Sequence, residues 1–407
     1  MSPTLRLALA GFFLAVFLSP PLSAEAPPTA STPAVAPAAP SLPPVPPRPR
    51  PLGVSRHDLA SFAKSSADVP CYDREAEPYT AVVDAHFHPR PFGGPAIPMP
   101  ELLEWFDKLG VRFVVYMGIG QVLELKSDCT YYLSCIGTPA TPSIKNDFVN
   151  GMDLAAYDPK KVLILPSMTF MDLAHPEDIV ERIKLYDREF PGMFRWAGEL
   201  NVMKQALVGN LHEPATVKSI DAWAPFMSIL RERNIPVTLH SDLGNDANPT
   251  QYLFLMEHVL KTYPNNKIVW AHMGLSKELT RMDATQHVST MKKLLDQYPN
   301  LMLDISWDVL YNAYRPMGEV FIEFFNAYPS RILPGSDFVA AGTKDYAKYE
   351  NELEITSRVL RLLTDEAFRN IALGENFFRF TGLDYKAPQI CRSRGRSVAA
   401  GTKAAAD

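Results

Sequence analysis

Cysteine is scarce in this chain. There are four in 407 residues, Cys71, Cys129, Cys135 and Cys391, and none stands at C-x-x-C spacing, which argues against a thiolate metal knot. Positive charge is not in excess either. The formal net charge is −5 and the lysines are scattered, so a nucleic-acid partner is not indicated. No glycine-rich phosphate loop follows the first apolar run, and "GIG" at 118–120 is too short to be one. Beyond the first two dozen residues no apolar run is long enough to span a bilayer.

What is present begins with an export signature. Arg6 precedes an unbroken apolar run from Leu7 to Leu18, and Leu22-Ser23-Ala24 offers the small residues a signal peptidase needs. Residues 1–24 are therefore expected to be a signal peptide, with the mature chain periplasmic or secreted and without a membrane span. Residues 25–69 read as a Pro/Ala-rich disordered linker, since 25–51 alone hold eleven prolines. The tail 391–407 reads as disordered. In an exported chain four cysteines suggest two disulfides, and of the three connectivities Cys129–Cys135 and Cys71–Cys391 are favoured, with free thiols as the alternative.

Residues 70–390 alternate between short β-branched runs and longer helical patterns. The runs cover 81–86, 112–118, 161–168, 194–200, 236–240, 267–272, 301–306 and 331–337. Continuous apolar runs without polar alternation indicate parallel strands buried on both faces. Between them, "NPTQYLFLMEHVLKTYP" has Asn248 as a candidate helix cap, and "AWAPFMSILRERN" sets Trp223, Phe226, Met227 and Leu230 on one stripe. Eight strand–helix units predict a (β/α)8 TIM barrel, with an inserted loop after strand 2 and extra C-terminal helices. The insertion, "QVLELKSDCTYYLSCIGTPATPS", is expected to cover the barrel mouth.

In such a barrel the strand C-termini share one rim. His86 and His88 end strand 1 as H-x-H, Glu199 ends strand 4, His240 strand 5, His272 strand 6 and Asp337 strand 8. Asp304 ends strand 7. Four of only nine histidines thus fall at strand ends. Imidazoles and carboxylates in this mixture suit a divalent transition ion, zinc first, with manganese or iron as alternatives. The ion would acidify a bound water, and Asp337 is placed to accept its proton.

The segments "VVDAHFHP", "GEL", "LH", "IVWAHMG" and "LPGSDF", with the closing "IALGENFFRFTGL", resemble the amidohydrolase superfamily, and within it the amidohydrolase-related branch that includes metal-dependent decarboxylases and lactonases. The resemblance covers about residues 80–385. It implies metal ligation by His86, His88, His240, His272 and Asp337, and it sets Glu199 where many members carry a bridging carboxylate. With Glu199 bridging, His86, His88 and Asp337 serve one ion and His240 and His272 a second, which is the preferred division. In a one-ion arrangement His272 instead polarises substrate or water, and Glu199 orients a ligand.

Arg90 is a candidate receiver of a substrate carboxylate, and Trp307 a candidate pocket wall. Asp308 reads as a helix cap. His175 and His212 read as loop residues, His258 and His287 as structural. The expected activity is hydrolysis of a carboxyl ester, lactone or amide in a small-molecule substrate. A non-oxidative decarboxylase on the same barrel and a non-catalytic exported metal-binding protein are the alternatives. Homo-oligomerisation is left open.

Overall fold

The computed structural model describes residues 57–391, apart from 67–68, 75, 78–80, 124–127 and 308–317. The expected signal peptide, most of the expected linker, the tail after Cys391 and Asp308 lie outside the described residues.

Eight parallel strand positions form one curled sheet. They are β1 (Val83–His88), β2 (Phe113–Met117), β3 (Leu163–Met168), β4 (Trp196–Met203), β5 (Val237–Ser241), β6 (Ile268–Trp270), β7 (Leu301–Asp304) and an eighth broken into β8 (Ile332–Leu333) and β9 (Phe338–Val339). The order is β8-β7-β6-β5-β4-β3-β2-β1-β9. Because β8 pairs with β7 while β9 pairs with β1, the broken strand closes the ring. This is the TIM-barrel-like (β/α)8 architecture expected. Every residue of β1, β2, β4 and β5 is buried, as the uninterrupted apolar runs require.

Helices cover the outside of the sheet. In α1 (Met99–Leu109), Met99, Leu102, Trp105, Phe106 and Leu109 are buried at helical spacing, and Gly110 ends the helix at φ 75°. α2 (Lys145–Tyr157) follows the insertion, α3 (Ile179–Glu189) follows β3, and α4 (Ala224–Glu232) buries Phe226, Met227 and Leu230 behind a buried Trp223. The next helix, α5, starts only at Leu253 and runs to Thr262. The Asn248-Pro249 start is thus corrected, because Asn245 folds that segment into turns by accepting the Ala247 and Asn248 N–H groups. After α6 (Ala284–Gln297) and α7 (Gly318–Ala327) come the extra helices α8 (Tyr346–Leu360), α9 (Asp365–Ile371) and α10 (Glu375–Thr381).

The end of the barrel opposite the strand C-termini is plugged by aromatic rings. Phe62 meets Phe113 edge-on at 5.3 Å, Phe113 meets Phe378 at 4.6 Å, and Phe377 stacks on Trp196 at 6.0 Å. His57 and Phe62 are fully buried, so residues 57–66, assigned to the linker on composition, pack onto the barrel instead. Burial of Phe62 contributes about 1.5–3 kcal/mol to holding this segment, an anchor that composition could not reveal.

The insertion after β2 forms a ribbon of Gln121–Leu123 with Ala140–Pro142. Its tip is stapled by Cys129–Cys135. Asn210 donates to the Cys135 and Thr138 carbonyls at 2.8 and 2.9 Å, which ties the insertion to the segment after β4. Cys71–Cys391 links positions 320 residues apart. Among the described residues no helix is long and apolar enough to cross a membrane.

The two disulfides should differ in weight. Cys71–Cys391 closes nearly the whole domain and Cys129–Cys135 a small loop, and long closures restrict the unfolded chain more. A Cys71→Ser/Cys391→Ser variant should lose on the order of 2–5 kcal/mol, and Cys129→Ser/Cys135→Ser clearly less. Urea unfolding of both variants beside the wild type, without reductant, measures the difference.

Candidate metal centre

His86 and His88 are both buried in β1 and project the same way, with Nε2 atoms 3.1 Å apart. A register shift between Asp84 and Phe87 bends the strand just before them. The broken eighth strand brings Asp337 to them: its N–H donates to the His86 carbonyl at 2.8 Å, and its Oδ1 lies 3.4 Å from His86 Nε2 and 3.0 Å from His88 Nε2. Close approach here demands glycine at 335, since a Cβ there would stand 2.7 Å from the His86 Cβ. Ser336 donates to Asp84 through its N–H at 2.9 Å and its hydroxyl at 2.7 Å, fixing the break.

Glu199, in β4, faces the same centre. Its Oε2 is 3.6 Å from His88 Nε2 and 3.9 Å from His86 Nε2, while its Oε1 contacts His240 Nδ1 and lies 3.5 Å from His272 Nε2. Gly198 before it lets β4 approach β5, for a Cβ would fall 2.2 Å from the Thr238 carbonyl oxygen, and its φ is +104°. His272 does not end a strand. β6 stops at Trp270, and His272 and Met273 turn back at φ 54° and 52°. Asp337 and Trp307 also have positive φ, 56° and 72°. Left-handed backbone costs a side-chain-bearing residue about 1–3 kcal/mol, and its concentration at one rim is the usual mark of a working site.

The outward ring nitrogens decide the tautomers. His86 Nδ1 donates to Asp304 at 2.5 Å and His88 Nδ1 to the Met117 carbonyl at 2.9 Å. Both partners only accept, so the neutral rings carry their protons there and turn bare Nε2 lone pairs inward. His240 is held alike, Nε2 to Asp242 at 2.9 Å. Ser306 Oγ stands 2.9 Å from His272 Nδ1 and 3.2 Å from His86 Nδ1. Around β1 the inner face therefore sets acceptor against acceptor: the lone pairs of His86 and His88 and the carboxylates of Asp337 and Glu199. Such groups repel unless a cation lies among them. Donor types, convergence and anchored outer nitrogens all fit a divalent ion. Three overlapping trios have ligand atoms close enough to share one: His86, His88 and Glu199; His86, His272 and Asp337; Glu199, His240 and His272.

The same field acts on the ionisable groups. Burial disfavours charge on His86, but Asp304, Asp337 and Glu199 outweigh it and raise its pKa to about 9, so at neutral pH a proton takes the inward Nε2 whenever no cation does. Burial likewise raises Asp337, yet His86, His88 and His272 hold its carboxyl well below the usual range. Burial opposes ionised Glu199 too, and Lys204 with His240 keeps it well below the ordinary value.

All six expected ligands thus meet, and Trp307 lies at the same rim, its ring 5.1 Å from that of His272. Arg90 lies against α2, where its guanidinium pairs with Asp153 and donates to Asn150 at 3.1 Å. His175 and His258 pair with Glu213 and Asp221 away from the centre, and His212 is buried outside it. Four contributors were missed. Asp304 was recognised only as a strand end, Ser306 and Asp242 carry no pattern of their own, and Lys204 follows "GELNVM" without any signal of burial. The mouth cover was expected. Tyr132 of the insertion is buried over the rim, where Asp337 and Glu199 add to burial in raising its pKa, and the Lys277 ammonium donates to the Tyr131 hydroxyl at 2.9 Å.

A closed (β/α)8 barrel with His and carboxylate side chains gathered at the strand C-termini defines a class of barrel hydrolases and related enzymes. Residues 168–377, slightly more than half of the chain, match the sequence profile of the amidohydrolase family, and the chain belongs to that family. His86 and His88 precede the matched segment. Similar solved structures include an amidohydrolase from Burkholderia multivorans with bound zinc (12% identity, 74% of this chain and 98% of that one, TM-score 0.47). Dihydroorotase from Campylobacter jejuni is also similar (16% identity, 75% and 84%, TM-score 0.43). A third is a probable 2-pyrone-4,6-dicarboxylic acid hydrolase from Acinetobacter baumannii (12% identity, 74% and 98%, TM-score 0.40). No curated protein matches the sequence.

His287 supports the site from behind. It is fully buried in α6 and its Nε2–H donates to the Met273 carbonyl at 2.9 Å, bracing the turn that presents His272. Burial lowers its pKa to about 4 from an ordinary 6.5. The unfolded chain therefore takes up this proton more readily than the folded one. The histidine's stabilising share is complete above about pH 6.5 and is lost as the pH falls toward 4. Between pH 7.5 and 5 the wild type should lose roughly 2 kcal/mol more than His287→Gln. Urea unfolding of both proteins at the two pH values gives the difference directly.

Proposed function

We propose that this protein is an exported, metal-dependent hydrolase of small carboxyl esters, lactones or amides. The observation that carries the reading is the convergence of bare lone pairs from His86 Nε2, His88 Nε2 and Asp337 Oδ1 within 3.0–3.4 Å, each ring fixed by a partner on its outer nitrogen. Of the candidate ions zinc suits this mixture of imidazole and carboxylate best, with manganese or iron as alternatives. When bound, the ion supplies Lewis acidity and lowers the pKa of water toward about 7.

The chain's own residues do the rest. Asp337 remains ionised because three histidines surround it, so it is ready to accept a proton from the attacking water and return it to the leaving group. His272, set by Ser306 beside Trp307, faces the substrate side and can polarise the scissile carbonyl. Trp307, with Tyr131 and Tyr132 of the insertion, narrows the mouth and limits water.

Metal analysis followed by a screen of esters, lactones, amides and aromatic acids tests the reading. His86→Ala and His88→Ala should each lose bound metal and activity. Asp337→Asn should keep some metal while turnover falls by about 10²-fold or more. Full metal and full activity in both histidine variants would refute the centre.

Export rests on the N-terminal sequence and on two disulfides, which suit an oxidising compartment. N-terminal sequencing of protein recovered from its native cell should find a start near Glu25. Met1 retained on cytosolic protein would contradict it.

A further inference from the structure

Lys204 follows the last residue of β4 and stands five residues after Glu199. Its side chain is only 12% exposed, and its Nζ lies 3.3 Å from Glu199 Oε1 and 3.5 Å from Oε2. A buried lysine on the floor of a metal centre is costly unless its charge has a task, because an ammonium resists leaving water. The hydrogen bonds show what it does here. Glu199 Oε1 contacts His240 Nδ1 and lies 3.5 Å from His272 Nε2. A second divalent ion, shared by Glu199, His240 and His272, would need a lone pair of that same oxygen. A carboxylate oxygen offers two. His240 Nδ1 faces that oxygen, and the Lys204 ammonium lies against both Glu199 oxygens, so a second ion here would sit beside a fixed positive charge.

The first trio differs. Around His86, His88 and Asp337 no lysine or arginine is bonded among the described residues, and Glu199 approaches them with Oε2. Charge favours the same division. Lys204 already sets one fixed positive charge against Glu199, the carboxylate that a second ion would share. A second ion would add two more within a few ångströms, where little water screens them. His240 also has a settled place without an ion, held by Asp242 at 2.9 Å on one nitrogen and by Glu199 on the other.

We propose, resting on the metal-centre reading above, that Lys204 is a fixed internal cation standing in for a second metal: it engages Glu199 and confines the centre to one divalent ion at His86, His88 and Asp337. The two-ion division preferred from sequence then gives way to one ion, and Lys204 is a positioning residue that acts through Glu199.

The test is zinc stoichiometry on the full mature chain, measured by plasma mass spectrometry after equilibrium dialysis against excess zinc. Wild type and Lys204→Arg, which keeps the charge, should hold about one ion per chain, and Lys204→Met about two. In Lys204→Met without zinc, Glu199 is buried with no permanent cation, so zinc should raise its Tm more than it raises that of the wild type. A Glu199→Gln/Lys204→Met double variant removes both charges, and it should fold without zinc and return to one ion. Two ions on the wild type, or a single ion on folded Lys204→Met, overturns the proposal while leaving the metal-dependent reading intact. Lys204→Met that stays unfolded even with zinc also counts against it, since zinc was to replace the lysine's charge. A wild type that binds no zinc, manganese or iron removes the metal reading itself.

Discussion

The break in the eighth strand holds the rest of the site in place. Ile332–Leu333 pairs with β7 and Phe338–Val339 with β1, and the four residues between leave the sheet. Those four residues include Gly335, which lets the chain pass against His86, and Asp337, whose N–H is bonded to the His86 carbonyl. Barrel closure and ligand placement are therefore one event. Asp84 makes the break rigid. It is fully buried, accepts from the Ser336 N–H, the Ser336 hydroxyl and the Tyr349 hydroxyl, and is pushed up to about pKa 6 by burial that these bonds only partly oppose. The first acid of "DAHFH" is thus architecture, and the two histidines after it are chemistry.

A second constraint is the fixing of each imidazole from outside. Asp304 and Ser306 at the end of β7, the Met117 carbonyl and Asp242 come from three different places in the sequence, and each faces the outer nitrogen of one or two rings. A ring so held keeps one orientation, which would preorganise the centre for the cation proposed above. The arrangement also explains why the centre looks strained as a set of bare side chains. Its inner surface is made of imidazole nitrogens and carboxylates, which only protons or a cation can hold together.

The cover over the mouth follows from covalent and polar ties rather than from a large core. The insertion packs a small cluster of Phe92, Ile119, Leu123, Tyr132, Ala140 and Leu207 beneath itself. Cys129–Cys135 shapes its tip, Asn210 holds it to the β4 side, and Lys277 reaches it from the β6 side. Substrate choice then belongs to a surface assembled from loops, whose sequence follows no period.

The sequence alone was enough for the barrel, for six ligand candidates and for both disulfides. These depend on regular local rules: buried parallel strands read as continuous apolar runs, strand ends share a rim, and the cysteines stand near each other or near the ends of the domain. It was also enough to set His287 apart as structural. Tertiary structure alone decided the matters that depend on long-range partners. Arg90 looked free until α2 placed Asp153 beside it. Residues 57–66 looked like linker until the barrel floor offered Phe62 an aromatic seat. His272 looked like a strand end, yet it lies in a left-handed turn braced by a helix. Lys204 looked like any surface lysine, because burial and a carboxylate at 3.3 Å are properties of the folded neighbourhood and leave no trace in the order of residues.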